Sequence, residues 1–369
     1  MAGKRNTKNK ALKITAVVII IVILIGAAVY AFIRKKDNHA EVSIDTKEIK
    51  TATTATETTT QDIHAGQARS LLTGMWVPKE QTGLRPVAVM YSNIKDAMPQ
   101  SSISYADVVF ESLVEGGITR LCCVFDNQTE LTKIGPVRSC RTYYLLFAKE
   151  FEAVYVHFGA SEYAAGYLAN PVFHSLDGMV YCDFYRTTDR IAPHNAYTSW
   201  EGIMGSAAYR NYDREYPAGY TPVFTFNTED GKEITLPEGE ECKTFYPGYR
   251  YNNPWFTYDE ASKTYLRYQF GAEQIDEQTK TQLAYKNILV KYVTPQYYEN
   301  GTPNYKIHGT NTGIFITNGK AVPVTWAKAS ESEGATKYYY ADGTEVVLNQ
   351  GKTYICQVET TQEVTISAE

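Results

Sequence analysis

Asp107-Val-Val-Phe-Glu-Ser-Leu-Val114, then Glu115-Gly-Gly117, then Ile118-Thr-Arg-Leu-Cys-Cys-Val-Phe125 is the stretch that decides the fold. Both apolar runs are short and rich in β-branched and aromatic residues, and a glycine pair separates them. The first run reads as a strand, or a short helix leading into one; the second reads as a strand after the Gly116-Gly117 turn. Upstream, Pro86-Val-Ala-Val-Met-Tyr91 forms another short strand ending at Asn93. Downstream, Arg138 to Phe151 has helical spacing through Tyr144, Leu145, Ala148 and Phe151, with Gly135-Pro136 marking its start. Ala153-Val-Tyr-Val-His157 is a strand again, and Ser161 is placed to cap a helix running to Leu168. Strands interleaved with helices predict a mixed α/β domain over residues 71–222.

The remainder has another texture. Trp255–Tyr258, Thr264–Phe270, Asn287–Val293, Gly313–Thr317, Thr336–Tyr340 and Lys352–Val358 read as strands. Asn318-Gly319 and Asp342-Gly343 between them are hairpin signals. Residues 223–369 therefore read as a mainly antiparallel β domain, and strand exchange between the two domains stays open. The class is α+β.

The N-terminus carries a different signal. Lys4, Arg5, Lys8, Lys10 and Lys13 precede Ile14 to Ile33, which holds no charge, and Arg34, Lys35 and Lys36 follow. Twenty residues rising about 1.5 Å each span a hydrocarbon core of roughly 30 Å. The basic flank predicts a transmembrane helix with the N-terminus inside and 37–369 on the extracytoplasmic side. A cleaved signal peptide, with Val29 and Ala31 at the small-residue positions, is the rival reading. No Cys stands at the end of the span, so thioether lipidation has no acceptor there. Residues 37–70, with the run Thr51-Ala-Thr-Thr-Ala-Thr-Glu-Thr-Thr-Thr60, read as a disordered tether.

Residues 1–36 hold eight basic residues and no acid, so without them the formal charge falls from −5 to −13. A body of that charge has no global attraction for phosphate backbones, and nucleic acid is excluded as a partner. A local basic cleft survives, because charges are screened over about 8–10 Å. Six Cys show no CxxC or zinc-like spacing, and a Cys140–Cys182 bridge is left open. No P-loop or GxGxxG occurs, so no cofactor is expected, and no metal.

Several of these runs carry a resemblance. Arg85-Pro-Val-Ala-Val-Met-Tyr-Ser-Asn93, Glu115-Gly-Gly-Ile-Thr-Arg120, Ile134-Gly-Pro-Val-Arg-Ser-Cys-Arg-Thr-Tyr143 and Arg190-Ile-Ala-Pro-His-Asn195 resemble the first domain of the YerB-like family. Tyr265-Leu-Arg-Tyr268, Asn318-Gly-Lys320, Trp326, Tyr340-Ala-Asp-Gly343 and Leu348-Asn-Gln-Gly-Lys352 are similar to its C-terminal domain. The resemblance covers roughly residues 72–360 and implies a bacterial membrane-attached protein, though many members resemble lipoproteins and this chain lacks the acceptor Cys. It implies no activity.

Candidate site residues come from two basic runs. Arg138 and Arg141, three apart beside Pro136, would share a helix face whose N-terminal N–H groups and guanidinium forks seat a carboxylate or phosphate. Arg186, Asp189, Arg190, His194 and Asn195 crowd a run with few apolar residues. His157 ends a strand, where α/β sheets place ligands. The expected pocket joins Arg138, Arg141, His157, Arg186, Arg190, His194 and Asn195, with Asp107 and Glu111 orienting the cations. It would bind a cell-envelope component: an anionic glycan, a peptide carboxylate or a phosphate-bearing polymer. The alternatives are an envelope hydrolase using His157 or His194 as base with Asp107 or Glu111, and a scaffold docking another envelope protein. Against any site stands simple pairing of the arginines with Asp107, Glu111 or Glu115.

Overall fold

The computed structural model describes residues 64–181 and 183–369. The expected span 14–33, most of the tether and Cys182 lie outside these residues. Among the described residues no helix is long and apolar enough to cross a membrane.

The opening stretch is a hairpin. Strand β1 (Val87–Asn93) pairs antiparallel with β3 (Thr119–Phe125), which pairs antiparallel with β2 (Val108–Leu113). Gly116 and Gly117 between β2 and β3 have φ of 69° and 71°, a region that costs glycine little. Helix α1 (Thr142–Glu150) leads to β4 (Val154–His157), which lies parallel to β1. The short helix α2 (Ala165–Leu168) leads to β5 (Ser175–Asp177), parallel to β4. A two-stranded ribbon of β6 (Tyr185–Arg186) and β7 (Ala196–Tyr197) precedes α3 (Trp200–Tyr209), whose first turn is capped by Ser199 accepting from the Gly202 N–H at 3.1 Å.

The second half extends the same sheet. Strands β8 (Asn287–Val293), β9 (Gly309–Thr317), β10 (Lys320–Lys328) and β11 (Thr353–Glu359) join it in the order β10-β9-β8-β11-β2-β3-β1-β4-β5. With Glu240–Glu241 and Lys337–Tyr339 on β10 it has 11 strands. The join is parallel, β11 on β2, in the register Val108↔Thr353 to Ser112↔Gln357. Strands of the two sequence segments thus share one sheet, which the alternation of side chains within a segment does not reveal. The β9–β10 turn is Asn318-Gly319, both at positive φ, as the hairpin signal requires. A second, antiparallel sheet of six strands includes Thr244–Tyr246, Trp255–Asp259 and Thr264–Gln269.

Both faces of the large sheet are covered, which explains its nearly unbroken apolar strands. Ala88, Met90 and Phe110 face one core with α1 residues Tyr144 and Phe147. Val87, Val89, Tyr91 and Val109 face the other, with Trp200 and Ile203 of α3 and Phe245, Phe256 and Tyr265 of the second sheet. The described residues are thus mostly β-sheet with few helices.

Two local expectations fail. The helix does not begin at Pro136 but at Thr142, and Arg138 and Arg141 do not share a helix face. Residues 134–140 are an extended strap, because its backbone groups find partners on both sides. Val137 N–H bonds Ala196 O, Arg138 N–H bonds Met90 O, and Cys140 N–H bonds Gly159 O. Likewise, Ser161 makes no cap bond to the short helical turns after it.

Candidate functional site

The strap, the β2–β3 turn and the β6–β7 ribbon deliver cations to one place. Arg120 rises from the start of β3, nearly buried, and donates to Ser139 O of the strap at 2.6 Å. Arg141, the last residue before α1, forms a two-point pair with Glu115 of the β2–β3 turn at 2.5 and 2.6 Å. Arg186 of β6 donates to the Asn195 side-chain oxygen at 2.8 Å, and Asn195 donates in turn to Thr187 O at 2.7 Å. The Arg186 guanidinium also lies 4.8 Å from the Phe158 ring centroid. His194 Nδ1 lies 3.0 Å from Ser92 Oγ.

Arg138 stands in the middle and is different. Among the described residues none hydrogen-bonds to its guanidinium or forms an ion pair with it. Burial holds its pKa below the ordinary arginine value, and the charges of Arg141 and Arg186 add to this against Glu115. Burial, then Arg141 and Arg138, bring Arg120 down to about 10. His194 is lowered by burial and by Arg138, with Asp96 opposing. Arg141 is raised: burial alone would lower it, but the Glu115 carboxylate outweighs that. Arg138 is thus acted on by the charges of Arg141 and Arg186, and Arg120 by those of Arg141 and Arg138, with Glu115 opposing in both cases. Such a cluster is stabilised by an anion, since a single pair at 4 Å is worth about 4 kcal/mol at an effective dielectric of 20.

The structure brings together Arg138, Arg141, Arg186, His194 and Asn195 of the expected pocket. It separates the rest. Arg190 is turned away and donates to Ala97 O and Pro99 O, both at 2.7 Å, pinning that loop. His157 is buried at the end of β4, between Gly159 O and Ser175 Oγ. Asp107 accepts from the Asp126 N–H at 2.9 Å at the far end of β2. Glu115 is eight residue steps further along the chain, roughly 26 Å if extended. Glu111 is fully buried and pairs with Arg267 of the second sheet at 2.9 Å. Neither acid orients the basic cluster, so neither can serve His157 or His194 there; that work falls to Glu115 and Asn195. Arg120 was missed. Its signal was available: a lone charge inside the apolar run Ile118–Phe125 must be placed against a partner. Cys140 is a buried free thiol.

Residues 72–213 match the family model described as "Protein of unknown function (DUF3048) N-terminal domain", and residues 244–355 match its C-terminal counterpart. The chain is 28% identical over 295 residues to a Bacillus subtilis (strain 168) protein named "Putative lipoprotein YerB", covering 79% of this chain and 86% of that protein. The crystal structure of the YerB protein from Bacillus subtilis superposes with a TM-score of 0.71 at 27% identity, covering 81% of this chain and 99% of that one.

Proposed function

This chain belongs to the DUF3048 family, with both its N-terminal and C-terminal domains, and we propose that it is a membrane-attached cell-envelope protein that binds an anionic group. The ligand class is an anionic glycan, a peptide carboxylate or a phosphate-bearing polymer. The observation that carries the reading is the half-buried Arg138 guanidinium, which has no hydrogen-bond or ion-pair partner among the described residues, amid Arg120, Arg141 and Arg186. An anion there would restore the balance that Glu115 alone does not. Asn195 and Phe158 hold Arg186 in place, and Glu115 holds Arg141, so two of the forks are pre-positioned.

Attachment to a membrane is supported by the uncharged run 14–33 and by the lipoprotein naming of the Bacillus subtilis relative. The run would anchor this chain by a single pass, with residues 37–369 on the extracytoplasmic side.

The test is calorimetric titration of the full-length protein with glycerol phosphate oligomers and with muropeptides. Arg138→Ala removes one charge-assisted hydrogen bond, worth about 1.5–3 kcal/mol, so affinity is expected to fall roughly 10- to 100-fold. Arg190→Ala serves as the control and is expected to bind as the parent does, because Arg190 is engaged by Ala97 and Pro99. Equal affinity of the Arg138→Ala protein and the parent would refute the reading.

A further inference from the structure

A second cleft lies beside the edge of the large sheet and does not depend on the arginine cluster. It encloses about 500 Å³ and is lined by His157, His174, Ser175, Arg210, Tyr212 and Asn170 among others. Among the described residues strand β5, which carries Ser175, is the last strand of the sheet.

His157 Nδ1 lies 2.8 Å from Gly159 O, and its Nε2 lies 2.8 Å from Ser175 Oγ. A carbonyl oxygen only accepts, so the proton resides on Nδ1 and the Nε2 lone pair faces the serine. The serine hydroxyl therefore donates to the imidazole. That is the arrangement of a nucleophile and its base, with the base oriented by a third group. Here the third group is the Gly159 carbonyl. Its loop is held because Gly159 N–H donates to Asp177 Oδ1 at 2.8 Å. Burial keeps His157 below its ordinary pKa, hence neutral and able to accept.

The register turns the Ser175 peptide groups away from β4. Tyr155 N–H bonds His174 O and Gly178 N–H bonds His157 O. Residues of β4 thus engage the neighbours of Ser175, and the Ser175 peptide groups face the open edge of the sheet. The Ser175 carbonyl, in keeping with this, accepts from Tyr212 Oη at 3.0 Å. Its N–H is then directed to the same edge, beside its own hydroxyl. Arg210 and Asn170 make the cleft wall polar.

We propose that Ser175 and His157 form a nucleophile–base pair that hydrolyses carboxylic esters of small polar molecules. Ser175 Oγ attacks the ester carbonyl carbon while its proton passes to His157 Nε2. The tetrahedral adduct breaks its bond to the alkoxy group, and the imidazolium returns the proton to the departing alcohol. Water, deprotonated by His157, then attacks the acyl-serine carbonyl; acid leaves and Ser175 takes back the proton. Asp177 is a positioning residue that acts through Gly159.

The experiment treats the full-length protein with a biotinylated fluorophosphonate and locates the adduct by peptide mass spectrometry. Native protein is expected to carry one adduct, on Ser175. Ser175→Ala should carry none. His157→Gln should label roughly 100-fold more slowly or worse, while its circular dichroism and melting temperature confirm that it folds. p-Nitrophenyl acetate turnover should lose activity on acidification with a midpoint below the free imidazole value of about 6.5. Absence of an adduct on folded parent protein overturns the proposal. So does labelling of Ser175 at the same rate in His157→Gln or in urea-unfolded protein, since either would make the serine an ordinary hydroxyl.

Discussion

Replacing Arg267 by Met should show how the two halves of the chain are held together. Arg267 and Glu111 are both 0% exposed and pair at 2.9 Å. Glu111 also accepts from Asn93, Thr119 and Asn252 through one oxygen and from Tyr354 through the other. Its partners thus come from β1, β3, β11 and, in the second sheet, from a strand and a connecting turn. Arg267→Met preserves bulk and apolar contact but leaves the carboxylate buried with neutral donors alone. Breaking a buried pair from one side costs about 3–5 kcal/mol, and the four neutral donors place the loss toward the lower figure. Against a typical stability of about 5–15 kcal/mol this is a large fraction. The assay is equilibrium urea unfolding followed by tryptophan fluorescence and circular dichroism. A double-mutant cycle with Glu111→Gln should give a coupling of at least about 1.5 kcal/mol. Because β2 and β11 are neighbours in one sheet, both probes should report a single transition in parent and mutant. A loss below about 1 kcal/mol, or two separated transitions in the parent, would refute the reasoning.

Two further expectations concern titration and thiol chemistry. Burial raises Asp107 to about 6 and Asp126, with Asp107 as its charged neighbour, to about 7. Folded values above the unfolded value of about 3.9 mean that the pair's contribution is full below that pH. It is lost as pH rises through about 6–7. Asp126→Asn should flatten that part of the stability–pH curve relative to the parent; parallel curves from pH 5 to 8 would contradict it. Cys122, Cys123, Cys140, Cys242 and Cys356 are buried free thiols, each with its pKa raised by burial. They should resist Ellman's reagent in native protein and react on addition of urea; rapid native reaction at any of the five would show that its strand or loop opens.

Much of the site was legible because it depends on local runs. Arg138, Arg141, Arg186, His194 and Asn195 stand within two basic stretches, the first read as a helix start and the second as a loop, and the strap and ribbon that carry them pack together. Arg190 lies in the same run as Arg186, yet its guanidinium goes to a different loop. Which way a side chain turns within a loop depends on the acceptors that surround it. Asp107 and Glu111 read equally well as partners for the arginines. The parallel register of β11 on β2 instead puts Glu111 beneath Tyr354 and Arg267. The Ser175–His157 contact joins residues 18 apart, and only the pairing of β4 with β5 brings them together.

Strand existence, the Gly116-Gly117 and Asn318-Gly319 turns and the apolar strands followed from the sequence by itself, because backbone preference and side-chain periodicity act over a few residues. So did the uncharged run at 14–33 and the concentration of basic residues at 138–141 and 186–194. Tertiary structure decided the single sheet that joins the two segments and the extended strap where a helix start was expected. It also decided the partner of every buried charge. Those choices are made by hydrogen bonds and ion pairs between distant residues, whose free energy exists only once the sheet register has brought them within reach.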